Sequence, residues 1–336
     1  MSKSCLIIGA GLSGLTAARE LQSRGVMVQV VDKGRGVGGR MVTRRLERDG
    51  EVAVFDHGAQ FFTARSAEFQ SVVNKWTENR MAREWFRGGI KVLSSGEIEH
   101  SADGHPRFAA TNGMASLLKA QAADLNVLCN QRITALDFED NQWRAQSESG
   151  QSFRADSLLL TSPVPQSLAL LQTVEERDFV LPTLLQSELE VMKYESCIAA
   201  MMWLDGPGRV PAPGALSFES GPITWLADNF QKGISPAAGA LTIHAAPDWS
   251  REHWSDSDEQ IVAALSDITE IYLGTEIRAH SVARWKFSKP IAPRNDGCLF
   301  DAKTKLGCAS DAFGGAKIEG AFLSGLAAAR KILALE

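Results

Sequence analysis

Residues 5–14 read C-L-I-I-G-A-G-L-S-G. The short apolar run before the first glycine predicts a buried parallel strand. After the third glycine, L-T-A-A-R-E-L sets Leu15, Ala18 and Leu21 at helical spacing. A second apolar run, Val26 to Val31, closes on Asp32, 23 residues beyond Gly9. Strand, glycine turn, helix, strand and acid follow in the order that dinucleotide binding requires. Gly9 makes the tight turn, Gly11 lets backbone approach a pyrophosphate, and Gly14 lets the helix pack on the sheet. Leu12 and Ser13 open the helix, whose free N–H groups and partial positive charge favour phosphate. Asp32 stands where a carboxylate meets the adenosine ribose hydroxyls.

The next residues separate FAD from NAD. From Val30 to Met41 the chain reads V-V-D-K-G-R-G-V-G-G-R-M. Binding NAD alone creates no general need for glycine-rich chain after the acid. Bare backbone permits close approach to a ligand, and Arg40 can fork onto phosphate oxygens. This segment resembles the second dinucleotide motif of the glutathione-reductase-2 type flavoproteins, which include amine oxidases, phytoene desaturases and renalases. The resemblance implies that Lys33, Gly39, Arg40 and Met41 lie along FAD.

The other end of the chain has a matching pattern. Residues 307–333 read G-C-A-S-D-A-F-G-G-A-K-I-E-G-A-F-L-S-G-L-A-A-A-R-K-I-L. A strand leads to Asp311, a glycine loop follows, and a helix starts near Glu319. Gly320, Ala321, Ser324, Gly325 and Ala328 give that helix a thin face. This resembles the C-terminal FAD motif of the same flavoproteins. The resemblance implies Asp311 at the ribityl or phosphate region and Glu319, Gly320 and Ala321 at the flavin. Here the helix dipole would stabilise negative charge on the reduced ring. Ser310 departs from the glycine usual before that aspartate.

Composition narrows the alternatives. A formal charge of -5 with no basic block argues against nucleic acid and anionic membrane as partners. Five cysteines without a C-x-x-C argue against a metal site or disulfide framework and for reduced thiols in a cytoplasmic protein. The N-terminal apolar stretch is broken by glycine too early for a signal peptide. No run of about 18 apolar residues predicts a membrane span. No Cys or His motif for flavin attachment is evident, so non-covalent FAD is expected.

The expected architecture is α/β. A Rossmann-type FAD-binding domain of p-hydroxybenzoate hydroxylase-like topology is assembled from 1–66, 107–165 and 278–336. An α+β substrate domain on a mixed sheet takes 67–106 and 166–277. Between the terminal motifs the pattern predicts a helix at 113–124 and a strand at 127–129. A meander follows at 132–138, 143–147 and 152–155, then a strand at 157–161. By the resemblance, Ile133 presents backbone to adenine. In the second domain helices are expected near 67, at 166–176 and at 256–272. Short strands should close the segment to 106, with others near 196–204, 215–218, 223–227 and 240–245.

Phe55-Asp56-His57-Gly58-Ala59-Gln60-Phe61-Phe62-Thr63-Ala64-Arg65 resembles a segment of the renalase-type flavoproteins that passes near the flavin. Trp225-Leu226-Ala227-Asp228-Asn229, Ile243-His244-Ala245 and Arg284-Trp285-Lys286-Phe287 support the comparison. The chain is identified as a member of the renalase-like FAD oxidoreductases. That implies Gly58, Ala59 and Gln60 at the cofactor. It implies a hydride taken to flavin N5 from 2- or 6-dihydro isomers of NAD(P), giving NAD(P)+ and, with oxygen, hydrogen peroxide. Gln60, Thr63, Trp225, Asn229, His244 and Trp285 are the candidate substrate residues. The tryptophans read equally as core, and His244 as a core histidine. The lysine that many amine oxidases set near the flavin has its counterpart near Ser196. Only Tyr194 and Tyr272 are available for a tyrosine cage. No side chain is assigned as catalytic acid or base. The competing readings are an FAD-dependent amine oxidase or desaturase, and a flavin-binding protein without turnover.

Overall fold

The computed structural model describes residues 3–175 and 183–335, with backbone alone at 101–103, 175, 183 and 184. The chain gathers into two compact units. One comprises Met1–Gly39, Leu118–Lys193 and Pro290–Glu336; the other comprises Arg40–Leu117 and Tyr194–Lys289.

The first unit is built on a six-stranded sheet. Its order is Leu299–Asp301, Leu306–Cys308, Ser157–Leu160, Ser4–Ile8, Met27–Val31, Val127–Leu128. All pairs are parallel except the one at the Leu299–Asp301 edge. Parallel strands are covered on both faces, so Leu6, Ile7, Val30, Leu158 and Leu159 are fully buried. Helix Leu12–Ser23 returns from the first strand to the second, burying Leu15, Ala18 and Leu21 as the spacing predicts. The expected meander forms from Ile133–Glu139, Gln142–Ser147 and Ser152–Ala155. Helix Val164–Glu175 begins within the proline pair rather than after it; proline is tolerated in a first helical turn, where its missing N–H is no loss. The last residue of the expected 166–176 helix lies outside the described residues.

The second unit carries a seven-stranded mixed sheet. Its order is Ile277–Pro290, Tyr194–Leu204, Ala240–Ala245, Ile223–Asp228, Ala215–Phe218, Ala82–Val92, Ile98–Ala110. Helix Asp258–Leu273, started by a Ser257/Gln260 capping box, buries Ile261, Leu265 and Tyr272 in a core shared with Ile198, Leu226 and Ile243. Two features differ from the sequence expectation. The strands before residue 110 are 11 and 13 residues long rather than short. Gly88, Gly96 and Gly104 look like breaks in sequence, but the paired strands absorb the first through a bulge. Thr43–Arg48 and Glu51–Asp56 also form a hairpin, turned at Asp49-Gly50, which was not anticipated. The hairpin buries Ala53 and Phe55 with Met201, Trp203 and Ala240. The hairpin and this shared core lie in the second unit.

Candidate functional site

The first unit presents a cradle at the carboxyl ends of its parallel strands. Gly9, with φ +120, donates its N–H to Val31 O, and a Cβ there would fall 2.4 Å from Thr161 Oγ1. At Gly14 a Cβ would lie 2.0 Å from Gly9 O, so this glycine is required by packing alone. Gly11 differs: an added Cβ meets only Gly39 Cα, at 3.9 Å. Its bareness is not demanded by its own fold, which fits a position reserved for a ligand. Lys33 through Gly39 fold back beside this turn, where Gly38 N–H donates to Ala10 O.

Asp32 holds the two glycine segments together. Its Oδ2 accepts the Ala10 N–H and its Oδ1 the Gly34 N–H, both at 2.6 Å. Each oxygen keeps a further lone pair for ribose hydroxyls. Lys33 is exposed and donates to Gln166 Oε1. Ile133 is half-buried at the start of the meander.

The C-terminal motif meets the N-terminal one directly. Ser13 Oγ donates to Ala321 O at 2.7 Å, which brings the first turns of helices Leu12–Ser23 and Ile318–Leu333 together. Gly325 makes this approach possible, since a Cβ there would lie 2.2 Å from Ser13 O. Gly320 likewise packs on backbone, its hypothetical Cβ 2.0 Å from Gly315 O. Asp311 and Glu319 are buried. Ser310, the unexpected residue, caps the short Asp311–Gly314 helix by accepting the Ala312 N–H. Its backbone N–H donates to Ser324 Oγ.

These features fit FAD. Gly11 leaves a space that a Cβ would enter, two helix N-termini adjoin it, and an acid follows the second strand.

In the second unit, the Asp56–Gln60 turn is fixed from beneath. Lys232 and Asp56 are wholly buried and bonded at 2.7 Å. Asp56 Oδ1 also accepts from Thr43 Oγ1 and the Met114 N–H. The Lys232 ammonium lies 5.1 Å from the Trp85 ring centroid. Burial lowers its pKa, opposed by the Asp56 charge and hydrogen bond. Asn229 belongs to this network. Its Oδ1 accepts the Asp56 N–H, and its amide donates to Ala240 O and Thr242 Oγ1. The amide of Asn229, expected among the substrate residues, is spent within the chain, where it holds the turn. Lys232 was missed altogether, because nothing in N-F-Q-K-G marks a lysine for the interior.

On this platform Gly58 is obligatory, since a Cβ would stand 2.1 Å from Arg40 O. The Ala59 N–H donates to that same oxygen, while Arg40 Nη1 donates to Ser288 O. Met41 is buried and Thr63 half-buried. Gln60 donates through Nε2 to Asp56 O and Gly58 O, but its buried Oε1 finds no partner among the described residues. His244 Nε2 stands 3.5 Å from Gln60 Nε2. His57 stacks on Trp285 with centroids 5.5 Å apart, and Trp285 Nε1–H donates to His57 O. Both imidazoles are held neutral. Burial, with Arg44 and His244, lowers His57 to about 3; burial takes His244 to about 4, against a hydrogen bond to the His57 backbone. Trp225 lies across from His244 on the neighbouring strand, and its ring centroid is 5.4 Å from that of Phe61. The second unit thus brings together Gln60, His244, His57 and Trp285, and places Trp225 beside Phe61.

A parallel sheet, a glycine cradle at its carboxyl edge and two converging helix N-termini define a dinucleotide-binding flavoprotein. Residues 7–76 match the NAD(P)-binding Rossmann-like domain, and residues 74–333 match the flavin containing amine oxidoreductases. The chain belongs to the flavin containing amine oxidoreductase family: it is an FAD-dependent oxidoreductase. It is 23% identical to renalase of Mus musculus over 96% of each chain. In fold it is similar to a putative protoporphyrinogen oxidase from Exiguobacterium sp. 255-15, with TM-score 0.74 at 15% identity over 99% of each chain. Cyclohexylamine oxidase from Brevibacterium oxydans IH-35A superimposes with TM-score 0.73 at 13% identity, again over 99% of each chain. No described helix is long and apolar enough to cross a membrane.

Proposed function

We propose that the protein is an oxidase of isomeric dihydro-NAD(P), the 2- and 6-dihydro forms. Such a substrate loses a hydride as its ring becomes an aromatic pyridinium. With oxygen as acceptor and one proton taken up, the products are NAD(P)+ and hydrogen peroxide. FAD, when bound, supplies the two-electron acceptor. Asp32, Lys33, Gly39, Asp311 and the two helix N-termini of the first unit would hold it non-covalently.

The observation that carries this reading is that no titratable side chain described around the Asp56–Gln60 turn is left as a free base: Lys232 and Asp56 are spent on each other. His57 and His244 are lowered to about 3 and about 4, too weak to hold a proton near neutrality. A donor driven by its own aromatisation needs no base, only a fixed approach. Gln60 Oε1 can accept from a carboxamide or ribose hydroxyl. Trp285, braced against His57, supplies a flat wall. The similarity to renalase over nearly the whole chain supports the same substrate class. The test is product stoichiometry in air. One NAD(P)+ and one hydrogen peroxide should appear per molecule of 2- or 6-dihydro-NAD(P) consumed. Turnover with amines in place of these isomers would move the protein to the amine oxidases.

A further inference from the structure

Two adjoining cavities of about 390 and 200 Å³ open beside the sheet of the second unit, sharing Phe86, Gly89 and Ile90. The smaller also meets Phe61, Ser217 and Trp225; the larger runs on to His100, Gly104 and Pro213. Their walls are aromatic. Phe61 and Phe86 meet edge to face with centroids 6.0 Å apart, and Phe61 lies 5.4 Å from Trp225. Trp85 braces Phe86 at 5.0 Å while donating its indole N–H to Pro213 O. Phe61, Phe86 and Trp225 are only half-buried, so flat apolar surface stands uncovered. The strand Ala82–Val92 breaks register between Arg87 and Gly89, at the Gly88-Gly89 pair. Glycine inside a strand weakens it and marks a place where a ligand or another backbone comes close. Both arginines in the lining are engaged. Arg87 is bonded to both carboxylate oxygens of Glu84 and to Gly104 O. Arg107 donates to His105 O and lies over the Phe61 and Phe86 rings, its guanidinium carbon 5.7 and 5.4 Å from their centroids. The lining therefore suits an uncharged, flat group and not a phosphate.

We propose that the larger cavity receives the adenine of a dinucleotide substrate. The proposal rests on the dihydronicotinamide reading above. The sheet register sets the reach. His244 pairs with Trp225, Trp225 with Ser217 and Ser217 with Lys91, so the four share one row across neighbouring strands. Three strand spacings of about 4.8 Å put the last strand about 14 Å from His244. Residues directly opposite one another share a face, so His244, Trp225 and Ser217 lie on one surface. Gln60, 3.5 Å from His244, is followed in the chain by Phe61 of the smaller cavity's wall. A nicotinamide ring at Gln60 and His244 thus has its second base at Phe86 and the glycine pair. The linking ribose and diphosphate run along the open mouth of the smaller cavity, where water solvates their charge. A mononucleotide ends before the last strand, and an extended dinucleotide reaches it. Phe86 and Pro213 give the base flat apolar faces, and Gly88 and Gly89 leave it room. The subsite selects dinucleotides over mononucleotides, and does so through the base.

The test is calorimetric titration of the FAD-loaded protein, its cofactor's adenosine site already filled, with two redox-inert probes, NAD+ and nicotinamide mononucleotide. NAD+ should bind on the order of 10- to 100-fold more tightly, the range for a base stacked on aromatic rings. Adenosine should compete with NAD+ and not with the mononucleotide, and ribose 5-phosphate should compete with neither. Phe86→Leu keeps the apolar volume and should remove most of the NAD+ advantage while leaving mononucleotide affinity intact. Gly89→Val, which fills the cavity from a strand position, should do the same. Equal affinity of the wild-type protein for the two probes, or binding by neither, would overturn the subsite, and no variant is needed to see it. An equal loss for both probes in Phe86→Leu would overturn it as well, since that marks a structural role. So would competition by ribose 5-phosphate and not by adenosine, the mark of an anion site. A NAD+ preference with no turnover of any dihydro isomer would reject the proposed substrate and keep the base subsite. Turnover without the preference would reject only the subsite.

Discussion

Replacing Lys232 by methionine tests whether the buried ion pair holds the Asp56–Gln60 turn. Lys232 and Asp56 are both wholly buried and 2.7 Å apart. Methionine fills much of the lysine stem but leaves Asp56 with two donors, Thr43 Oγ1 and the Met114 N–H. Removing one member of a buried pair costs about 3–5 kcal/mol, because the survivor's charge is stranded. Against a total stability of about 5–15 kcal/mol this is a large fraction. Asp56→Asn alone should cost a similar amount by stranding the ammonium. The double variant keeps an oxygen for Thr43 and Met114 and strands only an amide N–H₂, at about 1–3 kcal/mol. The two singles should therefore overshoot the double by several kcal/mol in a urea-unfolding cycle. A single variant within about 1 kcal/mol of wild type, or strict additivity, would refute the reasoning.

Three further outcomes follow from the geometry. Gly11→Ala should fold normally but bind FAD poorly, whereas Gly14→Ala should lose stability by its clash with Gly9 O; thermal melts with flavin absorbance separate the two. Burial lowers His57 to about 3 and His244 to about 4, below the ordinary imidazole value of about 6.5. Between roughly pH 6.5 and 4 the unfolded chain therefore binds more protons. Stability should fall as pH drops through this window, with a slope up to about 1.4 kcal/mol per pH unit per histidine; His57→Asn and His244→Asn should flatten it. Acid precipitation should leave a colourless pellet and a yellow supernatant, the mark of a non-covalent flavin.

The cofactor half was legible because glycine constraints are local. The spacing from Gly9 to Asp32 and the small-residue face of 320–328 follow from what backbone must approach, and neighbours in sequence report it. The second unit was harder. Asp49-Gly50 is a readable hairpin turn, yet where that hairpin packs depends on Met201 and Trp203, far along the chain. Nothing local distinguishes Lys232 from a surface lysine, because its burial is compensated by an aspartate 176 positions earlier. For Asn229 the partners that hold its amide lie at Asp56, Ala240 and Thr242, out of reach of any local pattern. A sequence pattern shows that a polar side chain interrupts an apolar strand end without showing which donors consume it. The cavity lining of Phe61, Phe86, Arg107 and Trp225 is likewise assembled by strand register and bulges.

The most direct measurement of the central claim is the anaerobic rate of flavin bleaching, followed by stopped-flow absorbance, with each dihydro isomer in turn. The 2- or 6-dihydro form should bleach the flavin rapidly and ordinary 4-dihydro-NAD(P)H slowly. The donor carbon shifts by roughly 1.4–2.8 Å around the ring, and about 1 Å of misplacement can cost on the order of 100-fold. Equal rates with all three isomers, or bleaching by an amine and by none of them, would contradict the account.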